Sequence, residues 1–251
     1  MLHLFAQLIP VGGNIAVIGG GGKTGLIEAL EAELSRQSCP ALSTVTTRLG
    51  RDQLSHLKPV EASAVSEALE VLERAAQGER LLLAGPYVPD NSALNKYSGV
   101  PLEWFPALRQ AASPNLTLLI EADGSAGRPL KCHLEYEPAL PPLNLFVIAV
   151  VGLSALVRPW KESVHRPEVL KSRVSGLPEE HLPLAPRQIA DVINQAWTRF
   201  KPDLIFLNQA DIFDDRIERS PAGELAGLLS AGGHTVAVGS LYKRTLSPWP
   251  V

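Results

Sequence analysis

The stretch Asn14–Leu30 reads NIAVIGGGGKTGLIEAL. Its apolar run, Ile15 to Ile18, stops abruptly at Gly19, Gly20, Gly21 and Gly22, and Lys23-Thr24 follows at once. That order predicts a buried strand, a glycine turn and the start of a helix. Successive glycines let backbone N–H groups turn toward an anion, and the helix start adds unpaired donors and the positive end of its dipole. The stretch therefore reads as a phosphate-binding loop, in which Lys23 would reach the terminal phosphates and the Thr24 hydroxyl would ligate Mg2+. The spacing is a variant, because Val17 stands where G-x-x-x-x-G-K-[ST] has its first glycine. The plainer alternative is a strand-to-helix turn that carries an exposed lysine.

Outward from this unit, Leu26, Ile27, Leu30 and Leu34 recur at helical spacing up to about Gln37. Ala41–Thr47, ALSTVTT, is rich in β-branched residues and predicts a second strand. Val65, Leu69, Leu72 and Ala76 predict a helix closed by Gly78, and Arg80–Ala84 a third strand. Further strands are expected over Asn115–Ile120, Leu145–Val151, Asp203–Leu207 and Thr235–Val238, with helices over Ile189–Phe200 and Ile217–Leu229. Strands alternating with helices imply a mostly parallel sheet covered on both faces. The expected fold class is α/β, a three-layer P-loop NTPase-like architecture built as a single domain over residues 1–251. A loop or lid region is expected around residues 86–114, where Asn95, Lys96 and Tyr97 could face a ligand, and a loop-rich segment around residues 124–142.

Composition narrows the function classes. The chain has 23 Lys and Arg against 26 Asp and Glu, a net charge of −3, so it has no broad basic field to hold nucleic acid or anionic lipid. Its two cysteines, Cys39 and Cys132, are far apart and lack metal-ligand spacing, which argues against a disulfide scaffold or a zinc site and fits a reducing cytoplasm. The opening MLHLFAQLIP lacks the basic flank of an export signal and reads as an amphipathic turn or two packing onto the core. Leu143–Val157 is apolar but shorter than a membrane span and is expected as a buried strand.

Two later strand ends carry chemistry. Asn115–Ile120 runs into Glu121-Ala122-Asp123-Gly124, where an acidic residue at the carboxyl end of a parallel strand suits a Mg2+-water ligand beside a phosphate loop. Asp123 or Glu121 would hold the metal through its water, and the other would position an attacking water or an acceptor hydroxyl. Asp203–Leu207 ends in Asn208-Gln209-Ala210-Asp211, a variant of the N-K-x-D element that reads guanine, with Gln209 in place of lysine. Arg166 is placed on a loop where an arginine would stabilise charge on a transferred phosphoryl group. The histidine of Cys132-His133 is expected as packing or surface rather than as a ligand.

Taken in order, GGGGKT, STVTTR, EADGSAGRPLK, EYEPALP, VHR and NQAD resemble the YqeC family, the accessory proteins of selenium-dependent molybdenum hydroxylases, over roughly residues 12 to 211. The resemblance implies a nucleotide-binding protein that acts in maturation of the hydroxylase cofactor, with the hydroxylase or its cofactor as partner. Residue by residue, it marks Gly19, Gly21, Gly22, Lys23 and Thr24 as the phosphate loop, Thr46 and Thr47 on the second strand, and Glu121, Asp123 and Gly124 on the acidic turn. Lys131, Glu137, Arg166, Asn208 and Asp211 fall on the later motifs. Gly25, Arg48, Cys132-His133 and Gln209 depart from the expected pattern.

The expected chemistry is Mg2+-dependent hydrolysis of ATP or GTP. Lys23, Glu121, Asp123 and Arg166 would be catalytic; Gly19, Gly20, Gly21, Gly22, Lys23, Thr24, Asn208 and Asp211 would bind the nucleotide; Thr24 and Asp123 would hold the metal. A kinase or ligase acting on a small acceptor, for which the short glycine turn resembles that of Mur-type ligases, is the first alternative. A non-hydrolysing nucleotide switch that binds the partner hydroxylase is the second.

Overall fold

Asn14–Gly19 forms a strand buried at all six positions, and its side chains divide by parity between two apolar layers. Ile15 and Val17 pack with Leu26, Ile27, Leu30 and Leu34 of the following helix on one face, while Ala16 and Ile18 enter a larger cluster on the other. This period-2 division is what a strand at the centre of a three-layer stack requires. The computed structural model describes residues 9–50, 57, 59–89, 96–196, 201–213 and 216–249. The expectation for Met1 to Pro10 falls mostly outside these residues, as does Asn95.

The strands are β1 (Asn14–Gly19), β2 (Ala41–Val45), β3 (Leu49–Gly50), β4 (Pro59–Glu61), β5 (Leu82–Ala84), β6 (Tyr87–Val88), β7 (Lys96–Tyr97), β8 (Thr117–Glu121), β9 (Leu130–Lys131), β10 (Phe146–Gly152), β11 (Val164–His165), β12 (Leu204–Asn208), β13 (Val236–Ser240) and β14 (Thr245–Pro248). The helices are α1 (Lys23–Arg36), α2 (Val65–Ala76), α3 (Phe105–Ala111), α4 (Trp160–Ser163), α5 (Pro167–Arg173), α6 (Pro186–Ala196) and α7 (Pro221–Ala231). Nine strands form one sheet in the order β14-β13-β12-β10-β1-β8-β2-β5-β4. Every pairing in it is parallel except β13 with β14.

Helices cover both faces, as the alternation of elements predicts. Helix α1 lies against the face that carries Ile15, Val17, Leu119, Ile148 and Phe206. The opposite face is covered by apolar residues of α2, α3, α6 and α7, among them Leu72, Phe105, Ile193 and Leu225. A leucine or isoleucine fully buried in this way contributes roughly 1.5–3 kcal/mol, so the four large apolar residues of α1 suffice to fix that helix on the sheet.

Several elements differ from the sequence expectation. The helix expected over Ile217–Leu229 is broken into a 3-10 turn at Ile217–Arg219 and α7, because the Ser220 Oγ accepts from the Ala222 and Gly223 N–H groups and Pro221 fits a helix start. Strands β4 and β14 were not foreseen; both are edge strands with exposed positions and little apolar pattern. Within the expected lid region, β6 and β7 join β3 in a small antiparallel sheet, and α3 follows.

From β1 the chain runs through α1 to β2 on one side of the sheet, whereas from the neighbouring β10 it runs on to β12 on the other, so the direction of winding switches between β1 and β10. In open parallel sheets, that crevice beyond the carboxyl ends is where ligands bind. The register brings Glu121 opposite Val17, Val150 opposite Gly19, and Asn208 opposite Gly152, so the motif residues share one sheet edge.

Candidate functional site

The glycine turn is held from several sides. The Gly20 N–H donates to Val150 O at 2.9 Å, and Asn208 Nδ2 donates to Gly21 O at 2.8 Å. Gly21 and Gly22 adopt φ of 81° and 131°, and a Cβ on Gly22 would stand 2.4 Å from Asn208 Nδ2. An L side chain there faces both a forbidden backbone region and a clash. The segment after the acidic turn also packs on this bend: a Cβ on Gly20 would lie 2.4 Å from Arg128 O, and the Gly152 N–H donates to Pro129 O at 2.8 Å. Arg128 and Pro129 therefore pack over the glycine turn at the carboxyl edge of the sheet.

Helix α1 starts at this bend without a side-chain cap at Gly22 and without an acid in its first turn. The first N–H groups of a helix have no partner within it, so an uncapped start is a set of donors with partial positive charge. Lys23 is 5% exposed, and its ammonium folds back over the turn to donate to Gly19 O at 2.9 Å and Ser125 Oγ at 3.3 Å. It stands 3.3 Å from Asp123 Oδ1 and 3.6 Å from Glu121 Oε1.

The structure separates the two acids that the sequence placed together. Glu121, the last residue of β8, retains some solvent access, and its Oε2 accepts from the Thr24 hydroxyl at 3.1 Å. Burial pushes its carboxyl above the ordinary range, opposed by Lys23 and reinforced by the charge of Asp123. Asp123 is fully buried behind the glycine turn. Its Oδ2 accepts from the Gly19 N–H at 2.9 Å and lies 2.6 Å from His133 Nε2 and 3.6 Å from Lys131 Nζ. Burial alone would raise the Asp123 carboxyl, but Lys23, the His133 hydrogen bond and Lys131 outweigh it and hold the group well below the usual carboxylate range.

Arg166 stands in a second layer of the same cluster. It grips Glu137 with both Nη atoms, while Glu137 Oε1 also accepts from Lys131 Nζ at 3.0 Å and Oε2 from the Leu134 N–H. Burial would raise Glu137, yet Arg166, the Leu134 N–H and Lys131 bring it down to about 2. Lys23, Asp123, Lys131, Glu137 and Arg166 thus form a chain of alternating charge leading from the buried glycine turn to the partly exposed Glu137–Arg166 pair.

Asn208 and Asp211 serve different places. Asn208 is buried, bracing Gly21 with its Nδ2 and accepting the Leu241 N–H at 3.0 Å with its Oδ1. Asp211 lies on an exposed 3-10 turn, where its Oδ1 accepts from the Ser240 hydroxyl. It lines an open depression with Phe213, Arg216 and Lys243. Gln209, in place of the expected lysine, adopts a left-handed backbone and accepts the Ser154 N–H at 3.2 Å.

Sequence reasoning missed His133 and Ser125 as members of the cluster. Ser125 follows the acidic turn directly and was open to inference. His133 had no local signal, because the β9–β11 pairing that orders its segment is a tertiary contact.

Among the described residues no group of three or more His, Cys, Asp or Glu side chains is arranged to hold a metal, and no helix is long and apolar enough to cross a membrane. The Thr24 hydroxyl at the start of α1 nevertheless fits Mg2+, which takes one or two protein oxygens and completes its shell with water and phosphate.

Comparison with known proteins bears on this site as a whole. The family model described as YqeC protein matches residues 15–168, which include the glycine turn, both acids, Lys131, His133, Glu137 and Arg166. An uncharacterized YqeC protein of Escherichia coli strain K12 is 33% identical over 167 residues, 66% of this chain and 61% of that relative's own length. With its family model covering more than half of its length, the chain belongs to the YqeC family.

Proposed function

We propose that this chain binds a nucleoside triphosphate, ATP or GTP, with Mg2+ and hydrolyses it in a P-loop NTPase-like site. The observation that carries this reading is the uncapped start of α1 behind a glycine turn, with Lys23 and Thr24 both tied to Glu121. The first-turn N–H groups and the Lys23 ammonium supply fixed positive charge for the β and γ phosphates. Lys23 is now neutralised by Asp123 and Glu121; a triphosphate would compete for it, and Asp123 would keep Lys131, His133 and the Gly19 N–H as partners.

Thr24 would hold Mg2+, which when bound neutralises charge on the phosphate oxygens. Glu121, with its carboxyl raised by burial, is suited to accept a proton from the attacking water or hydroxyl. Asp123 acts in this scheme by holding Gly19 and orienting Lys23, and Arg166 by holding Glu137. Asn208 braces the turn, and Asp211, on the exposed turn after β12, would accept from the base.

Family membership supports a role beside selenium-dependent molybdenum hydroxylases, with the hydroxylase or its cofactor as partner in the cytoplasm. The test is binding of MgATP and MgGTP by calorimetry, with phosphate release followed in parallel. Lys23→Ala is expected to abolish binding or turnover; a variant with unchanged affinity and rate would remove the phosphate-loop assignment. Release only in the presence of an added acceptor would instead assign a kinase or ligase, and binding without release a nucleotide switch.

A further inference from the structure

The alternation of charge behind the glycine turn hinges on one lysine, Lys131 of β9, which is divided between two acids. Its ammonium donates to Gly124 O at 2.8 Å and to Glu137 Oε1 at 3.0 Å, and it stands 3.6 Å from Asp123 Oδ2. Asp123 is divided in the same way. Its Oδ2 faces Lys131, the Gly19 N–H and His133, whereas Oδ1, buried and without a hydrogen bond, faces the Lys23 ammonium at 3.3 Å.

The inner members of this series are closed to solvent, and its far end is not. Lys131 and Asp123 are buried, while the side chains of Glu137 and Arg166 are 14% and 22% exposed. Arg166 spans both oxygens of Glu137 from the left-handed residue that starts α5. Charges a few ångströms apart in a water-poor interior act strongly on one another, and a carboxylate already matched by one cation attracts a second less. Arg166 thus weakens the pull of Glu137 on Lys131, which leaves Lys131 to Asp123. Asp123 in turn holds less firmly the Lys23 ammonium that the proposed triphosphate must win.

We propose that the Arg166–Glu137 clasp regulates the phosphate loop. Closed, it leaves Lys23 free for the phosphates; opened by an anionic group of a partner that captures Arg166, it draws Lys131 to Glu137 and returns Lys23 to Asp123. Linkage makes the effect reciprocal, so a bound triphosphate tightens the clasp. Glu137 and Arg166 act here as positioning residues, through Lys131 and Asp123. This regulation rests on the nucleotide reading above.

The test measures the affinity of the full chain for MgATP and MgGTP by calorimetry. Arg166→Met should weaken triphosphate binding roughly five-fold and Glu137→Gln should tighten it by a similar factor, the size of one link in a coupled network. A purely structural role would weaken binding in both. A through-space effect of the two charges would persist once the middle of the series is removed. Both substitutions are therefore repeated in a protein that carries Asp123→Asn and Lys131→Met, where they should leave affinity unchanged. Shifts in the same direction, an unchanged affinity in either single variant, or shifts that persist in that background overturn the proposal. Should a variant fail to fold or to bind, the unaltered protein decides it: rotation of the Arg166 guanidinium, followed by nitrogen NMR, should slow when the triphosphate binds, and an unchanged rate overturns the clasp. Absence of triphosphate binding to the unaltered protein removes the nucleotide reading and this regulation with it; binding without the opposed shifts overturns the regulation alone.

Discussion

The Thr24 hydroxyl donates to Glu121 Oε2 at 3.1 Å, joining the first turn of α1 to the last residue of β8 across 97 positions of sequence. This contact sets Glu121, and not Asp123, at the open side of the glycine turn, and the Glu121 carboxyl there is raised by burial.

Glu121→Gln keeps the shape and the Thr24 contact but cannot take up a proton. Phosphate release from MgATP or MgGTP is expected to fall by about 100-fold, in the range of general-base losses, with nucleotide affinity within a few-fold of the original. In the unaltered protein the rate should climb as pH rises through the raised carboxyl pKa and then level. The variant should lack that limb, and an identical pH profile in both proteins would refute the assignment.

Asp123→Asn leaves Lys23 and Lys131 without the buried charge between them. Breaking a buried ion pair from one side costs about 3–5 kcal/mol, and urea unfolding should register a loss of that order. Adding Lys131→Met should recover part of it. A stability change below about 0.5 kcal/mol would mean that Asp123 does not anchor the turn.

Glu137 gives a pH signature. Its pKa is depressed from 4.5 to about 2, so its stabilising contribution is present above the unfolded value and is lost as pH falls through that window. With the solvent screening of the partly exposed pair allowed for, the contribution is on the order of 2 kcal/mol. Thermal melts between pH 5 and pH 2, taken as approximate limits from those pKa values, should show a steeper loss for the unaltered protein than for Glu137→Gln, and parallel curves would contradict the ion-pair account.

Asp211→Ala removes the exposed carboxylate beside the depression lined by Arg216 and Lys243. Affinity for GTP is expected to drop roughly ten-fold, one hydrogen bond to a base edge, while ATP stays within about two-fold. Equal losses for the two nucleotides would discard base reading by Asp211.

The sequence by itself determined the strand, glycine turn and helix at Asn14–Leu30, and the alternation of strands and helices around it. Those features are written in local pattern: apolar runs at period 2 or 3.6, punctuated by glycine and proline. It also marked most of the residues that gather at the sheet edge. Only the tertiary structure decided their partners. Strand β8 ends at Glu121, so two residues later the chain has left the sheet and carries Asp123 beneath Gly19, where it meets Lys131 and His133 from a neighbouring segment. Asn208 and Arg166 likewise take their partners from Gly21 and Glu137, distant in the chain. Which charges pair, and which acid stays open to solvent, follows from strand register and burial, and these are set by contacts between distant segments that no local pattern encodes.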